Sequence, residues 1–137
     1  MERKFSRRIE ALDGIWTFIE AFLDAHALSR DLSFDVGLII EELFTNMVKY
    51  SGDGTKDIAI GLDLDARGVI ITLTDRDVEP FDPTRLPEVD PERPLADRKP
   101  GGLGIHFVRR LADDFSYEYR ERTSRITVVK RVEGSHV

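Results

Sequence analysis

Three places in this 137-residue chain carry residue types that can do chemistry. In the first, Glu41-Glu42-Leu43-Phe44-Thr45-Asn46, Glu42 and Asn46 fall one helical turn apart. That spacing stacks them on one stripe at the margin of an apolar arc, a carboxylate beside an amide, able to hold a hard cation or a water. The plainer alternative is a solvated helix face with an intrahelical contact, which Glu41 and Lys49 would also suit. In the second, Thr74-Asp75-Arg76-Asp77-Val78-Glu79-Pro80-Phe81-Asp82-Pro83, an apolar strand runs out into an acidic turn. Carboxylates at a strand end accept hydrogen bonds from an amino group or orient a water, although Asp and Pro are also ordinary turn formers. In the third, Lys99-Pro100-Gly101-Gly102-Leu103-Gly104-Ile105-His106, glycines stand at the start of a helix. There the backbone can approach a phosphate closely and the first N–H groups favour an anion. The pattern lacks the Gly-Lys-Ser/Thr ending of a P-loop and is not Gly-x-Gly-x-x-Gly after a strand, so a glycine-rich helix start without a ligand also explains it.

The elements that must position these residues follow from hydrophobic period. Lys4 to Ile9 is short, mixed apolar and basic, and suits an edge strand. From Glu10 to Ala27, Leu12, Ile15, Trp16, Ile19, Phe22 and Leu23 recur at steps of three and four, which predicts an amphipathic helix; Trp16, Phe18 and Phe22 read as core rather than as a platform for stacked bases. Ser29 and Asp31 are candidate caps of a second helix through Val36, Ile39, Ile40, Leu43, Phe44 and Met47, ending near Tyr50 at the breakers Ser51-Gly52-Asp53-Gly54. Alternation then takes over: Ile58, Ile60, Leu62 and Leu64, and after Asp65-Ala66-Arg67-Gly68 the series Val69, Ile71 and Leu73, predict an antiparallel hairpin. All six prolines lie between Pro80 and Pro100. A loop of that length inside a compact domain predicts a lid or binding loop, mobile from Thr84 to Lys99 until a ligand orders it. A third helix through Ile105, Val108 and Leu111 follows, then a second strand pair over Phe115 to Arg120 and Arg125 to Val132.

Composition narrows the function. The chain is 41% hydrophobic and 34% charged, as expected of one domain with one core over residues 1–137. Twenty Lys and Arg against 26 Asp and Glu give a net charge of -6, opposite to the footprint of a nucleic-acid-binding protein. With no cysteine there is no disulfide, thiolate nucleophile or cysteine zinc site, and the three histidines, His26, His106 and His136, have neither triad nor metal spacing. No signal-peptide pattern and no apolar run of about 18 residues occur, so the expectation is a cytoplasmic protein without a membrane partner.

Taken in order, the three places resemble a known family. Glu41-Glu42-Leu43-Phe44-Thr45-Asn46 is similar to the N box of the GHKL (histidine-kinase-like) ATPases, the superfamily of gyrase, histidine kinases and MutL. Pro80-Phe81-Asp82-Pro83 and Pro100-Gly101-Gly102-Leu103-Gly104-Ile105-His106-Phe107-Val108-Arg109-Arg110-Leu111-Ala112-Asp113 resemble the small anti-sigma factor serine/threonine kinases of the bacterial stress and sporulation type. The resemblance spans nearly the whole chain. It implies an α+β two-layer sandwich of Bergerat type, a mixed, mainly antiparallel sheet covered on one face by helices. It implies ATP and Mg²⁺ as cofactors, Glu42 as general base, Asn46 as Mg²⁺ ligand, and Gly101, Gly102, Leu103 and Gly104 as a second glycine box closing on the phosphates. The first glycine box of the family is Asp-x-Gly, its Asp reading the adenine amino group. Counting from the strand puts Asp75 at the Asp and Asp77 at the Gly; counting back from Phe81-Asp82-Pro83 puts Arg76 and Val78 there, and neither register keeps the glycine. The implied activity is phosphorylation of a serine or threonine on an anti-sigma-factor antagonist, with a sigma factor as a further partner and a homodimer left open. The alternative is a protein-binding regulatory module of the same fold with a degenerate nucleotide site.

Overall fold

The computed structural model describes residues 1–50, 54–80, 82–85 and 102–132. The elements run β1 (Glu2–Phe5), a 3-10 turn (Ile9–Ala11), α1 (Leu12–Ala25), α2 (Asp31–Tyr50), β2 (Ile58–Asp65), β3 (Gly68–Arg76), a second 3-10 turn (Pro83–Arg85), α3 (Gly102–Leu111), β4 (Asp114–Arg120) and β5 (Thr123–Lys130). The predicted order of strand, two helices, two strands, helix and two strands is therefore found. The first strand lies further towards the N-terminus than its composition suggested, because pairing decides it: Phe5 stands opposite Ile58 and the chain then leaves the sheet into the 3-10 turn. Most of the proline-rich segment predicted to be a lid, 86–101, lies outside the described residues.

The five strands form one sheet in the order β1-β2-β3-β5-β4. All four pairings are antiparallel, so the mixed component expected of the sheet is not present among the described residues. The two hairpins, β2–β3 and β4–β5, pair side by side through β3 and β5. Alternation along each strand sends Ile58, Ile60, Leu62, Val69, Ile71, Leu73, Ile126 and Val128 to the face where α1, α2 and α3 lie, and these residues join the helical stripes in one buried cluster. The stripe of α1 contributes Ile15, Phe18, Ile19, Phe22 and Leu23, and that of α2 Val36, Ile39, Ile40, Leu43, Phe44 and Met47. Two layers, a sheet and its helical cover, thus enclose the core. Ser29 Oγ accepts a hydrogen bond from the Asp31 N–H at 3.2 Å where α2 begins. Among the described residues no helix is long and apolar enough to cross a membrane.

Helices α1 and α2 approach closely at Gly37, where the ring of Trp16 occupies the space a Cβ would need. Alanine at 37 would gain about 1 kcal/mol of helix propensity over glycine, against an overpacking cost of about 1–3 kcal/mol. The clash is expected to win. Gly37→Ala should lower the melting temperature and shift the emission of Trp16, the sole tryptophan of the chain, to the red as its ring is displaced towards water. An unchanged melting temperature with unchanged emission would show that Trp16 does not rest on Gly37.

Candidate functional site

The site lies where the last two turns of α2 cross the C-terminal end of β3. Asp75 is the next inward-facing position of β3 after Leu73, and its carboxylate is fully buried. Antiparallel register puts Ser124 of β5 directly opposite. Asn46 comes down from α2, only 6% exposed. Leu43, Asn46, Met47, Asp75, Pro83, Ser124 and Ile126 line one small pocket of about 10 Å³, room for about one water. Asn46 Nδ2 is buried there and meets no hydrogen-bond acceptor among the described residues. A buried donor left unmade costs about 1–3 kcal/mol, so this atom is suited to a ligand oxygen. Ser124 Oγ is held within 3.1 Å of Tyr117 Oη, which orients it beside Asp75.

Glu42 precedes Asn46 by one turn of α2 and is half-buried. Burial raises its pKa above the usual glutamate value and the adjacent Glu41 carboxylate adds to the effect, while Lys49 pulls the other way. Lys49 itself is exposed.

Of the two registers open for the acidic turn, the first puts a pocket-lining carboxylate at the Asp position and the second does not. Asp75 points into the pocket, whereas Arg76 is exposed and Val78 is fully buried outside the pocket lining. Asp77 has φ 60°, the left-handed conformation that glycine adopts most readily, so the backbone keeps the shape of a glycine position although the residue is Asp. Its carboxylate turns out to Arg122 Nε at 2.9 Å, and Glu79 takes Arg122 Nη1 at 3.0 Å. The narrowing of the pocket that a side chain at 77 could cause is thus avoided by its direction. Backbone ties hold the turn to the β4–β5 hairpin: Val78 N–H donates to Arg122 O at 3.0 Å and Tyr119 Oη donates to Val78 O at 2.6 Å.

Pro83 reaches the pocket because the turn after Asp82 is fastened twice. Asp82 Oδ1 accepts from Thr84 N–H at 2.9 Å and from Thr84 Oγ1 at 2.6 Å, and Arg109 Nη2 of α3 donates to Thr84 O at 2.7 Å. Helix α3 packs on α2 and begins at Gly102, so the backbone of Gly102, Leu103 and Gly104 forms its first turn, with no acidic residue to oppose an anion. Gly101 lies outside the described residues.

Asn46 and Asp75, 29 positions apart in sequence, therefore share one pocket, with Glu42 beside it on α2. Asp77 does not enter it. Sequence reasoning missed Ser124, Met47 and Ile126 as lining and named Leu43 and Pro83 only within motifs, without a place in the pocket; Ser124 could be found only from strand register. A wider open hollow of about 700 Å³ at the other end of the sheet, around Asp65, Arg67, Asp113, Asp114 and Arg131, contains none of these groups.

Residues 5–130, which take in β2 to β5, the three helices and both Asn46 and Asp75, match the family model of the histidine kinase-like ATPase domain. The chain belongs to that family. Among solved structures it is similar to the crystal structure of the RsbU and RsbW domains of Rv1364c from Mycobacterium tuberculosis, with a TM-score of 0.66 and 16% identity over 96% of this chain. The match takes in 32% of that longer chain, and at this identity it speaks for the fold. A search of curated proteins finds no match.

Proposed function

We propose that the chain, as one domain over residues 1–137, binds ATP with Mg²⁺ and transfers the γ-phosphoryl group to a serine or threonine of an anti-sigma-factor antagonist in the cytoplasm. The observation that carries this reading is the buried Asn46 amide, lacking an acceptor, in one pocket with Asp75. The polar atoms of Asp75 and Ser124 at this pocket are of the kind that reads a base edge; with room for about one water, the pocket would have to widen over Leu43, Met47 and Ile126 to admit the base itself. Asn46 would offer Oδ1 to the cation, and Nδ2–H to a phosphate oxygen. Among the described residues no cluster of His, Asp or Glu could hold a metal alone; at Asn46 the remaining oxygens would come from phosphates and water, the coordination Mg²⁺ prefers. The bound ion would supply charge neutralisation on the phosphates.

Glu42 would accept the proton of the attacking hydroxyl, and its raised pKa suits that step. The first-turn N–H groups of α3, at Gly102, Leu103 and Gly104, would receive the phosphate tail. The anti-sigma partner rests on the motif resemblance around Pro100 to Asp113 and on the RsbW-containing structural neighbour.

Calorimetric titration with ATP and Mg²⁺, followed by transfer of labelled γ-phosphate to a cognate antagonist, tests the reading. Saturable Mg²⁺-dependent binding and labelled antagonist are expected. No binding at millimolar ATP would leave a protein-binding regulatory module of the same fold.

A further inference from the structure

The chain between β1 and the first 3-10 turn sends Arg7 under the site. Its side chain is 12% exposed and that of Asp75 is 1% exposed. Arg7 Nη2 donates to Asp75 Oδ1, and Nη1 donates to Met47 O near the end of α2 at 3.1 Å. The guanidinium packs on the backbone of Gly54, where a Cβ would collide with it. Yet Arg7 does not line the pocket in which Asp75, Ser124 and Asn46 meet. It therefore holds, from outside the lining, a carboxylate that itself lines the pocket.

A buried carboxylate needs a counter-charge, and a guanidinium anchored at a second point fixes the rotation of the carboxylate as well as its charge. We propose that Arg7 is the positioning residue for base recognition: it holds Asp75 as an oriented acceptor, so that the pocket prefers a base with an exocyclic amino donor, adenine, over one with a keto oxygen in that place. An oriented carboxylate accepts from N–H and repels a carbonyl. Released from Arg7, it turns away from that geometry and the preference falls. This rests on the nucleotide reading above and adds to it a residue outside every motif of the chain.

The test compares wild type, Arg7→Lys and Arg7→Met by calorimetry with ATP, ITP and inorganic triphosphate, each with Mg²⁺, and checks folding by Trp16 emission. Wild type should prefer ATP to ITP by about tenfold or more, the order expected when a buried polar group meets the wrong partner. In Arg7→Met that ratio should fall towards one, with ATP affinity reduced by about tenfold, while triphosphate affinity changes less than about twofold because the phosphate end does not touch Arg7. Arg7→Lys keeps the charge but not the fork, and should recover part of the ratio. It decides the matter alone if Arg7→Met fails to fold, since a ratio equal to wild type there overturns the proposal. An unchanged ratio in folded Arg7→Met overturns the role of Arg7 and leaves nucleotide binding standing. If wild type binds neither nucleotide nor triphosphate, the underlying reading falls and the role of Arg7 falls with it.

Discussion

Asn46→Ala should weaken Mg²⁺-dependent ATP binding by about tenfold or more while leaving the protein at least as stable as wild type. The two effects have opposite signs for one physical reason. In the protein alone, Asn46 Nδ2 is a buried donor with no acceptor among the described residues, so deleting the amide removes a desolvation cost. With nucleotide present, the same side chain would hold a charged phosphate oxygen and a cation. A hydrogen bond to a charged group is worth about 1.5–3 kcal/mol, roughly 10- to 150-fold in Kd, and losing the metal ligand adds to it. Titration with ATP, with and without Mg²⁺, reads the first effect and thermal melting the second. Unchanged Mg²⁺-dependent affinity would remove Asn46 from the site; a large fall in melting temperature would mean that the amide serves the core.

Glu42→Gln is expected to keep ATP binding and slow phosphoryl transfer by about 10²- to 10⁴-fold, the range for losing a general base. The amide is nearly isosteric but takes no proton. Burial and Glu41 raise the pKa of Glu42, so the acid limb of the wild-type rate should lie at a higher pH than an ordinary exposed glutamate would give. The limb should vanish from the residual rate of the variant. The sign for stability follows from the same shift. With a folded-state pKa above the unfolded value, ionised Glu42 opposes folding once the pH rises through the folded pKa, and the penalty fades as pH falls towards the unfolded value. Glu42→Gln should therefore melt slightly higher than wild type at neutral pH and converge with it in acid. Transfer at the wild-type rate would reduce Glu42 to a helix-surface residue.

How far the sequence could be read depended on whether a signal was local. The stripes Ile15-Phe18-Ile19-Phe22 and Ile39-Ile40-Leu43-Phe44 repeat within one helix, and β2 and β3 announce themselves by alternation, so these elements lie close to their expected bounds. The spacing of Glu42 and Asn46 was equally local. The acidic turn was not, because two registers fitted the text and only the pleat of β3 turns Asp75 inward and Arg76 outward. Ser124 and Arg7 were illegible for a stronger reason. Their relation to Asp75 runs through strand pairing and through a side chain crossing beneath α2, and neither leaves a spacing in the sequence.

The pairing of β1 also sets an order of assembly. β2–β3 and β4–β5 are hairpins that close over short turns, but Phe5 finds Ile58 only after the whole of α1 and α2 has intervened. Closing the longer loop gives up more chain entropy, and contacts distant in sequence form late. β1 is also a short outermost strand, where fraying begins. The segment that brings Arg7 to Asp75 is thus expected to form later than either hairpin, and it leads off the strand where fraying begins. A chain with its helices and both hairpins in place would still lack the Arg7 contact to Asp75, so on the proposed reading the ability to tell one nucleotide from another would mature after most of the fold.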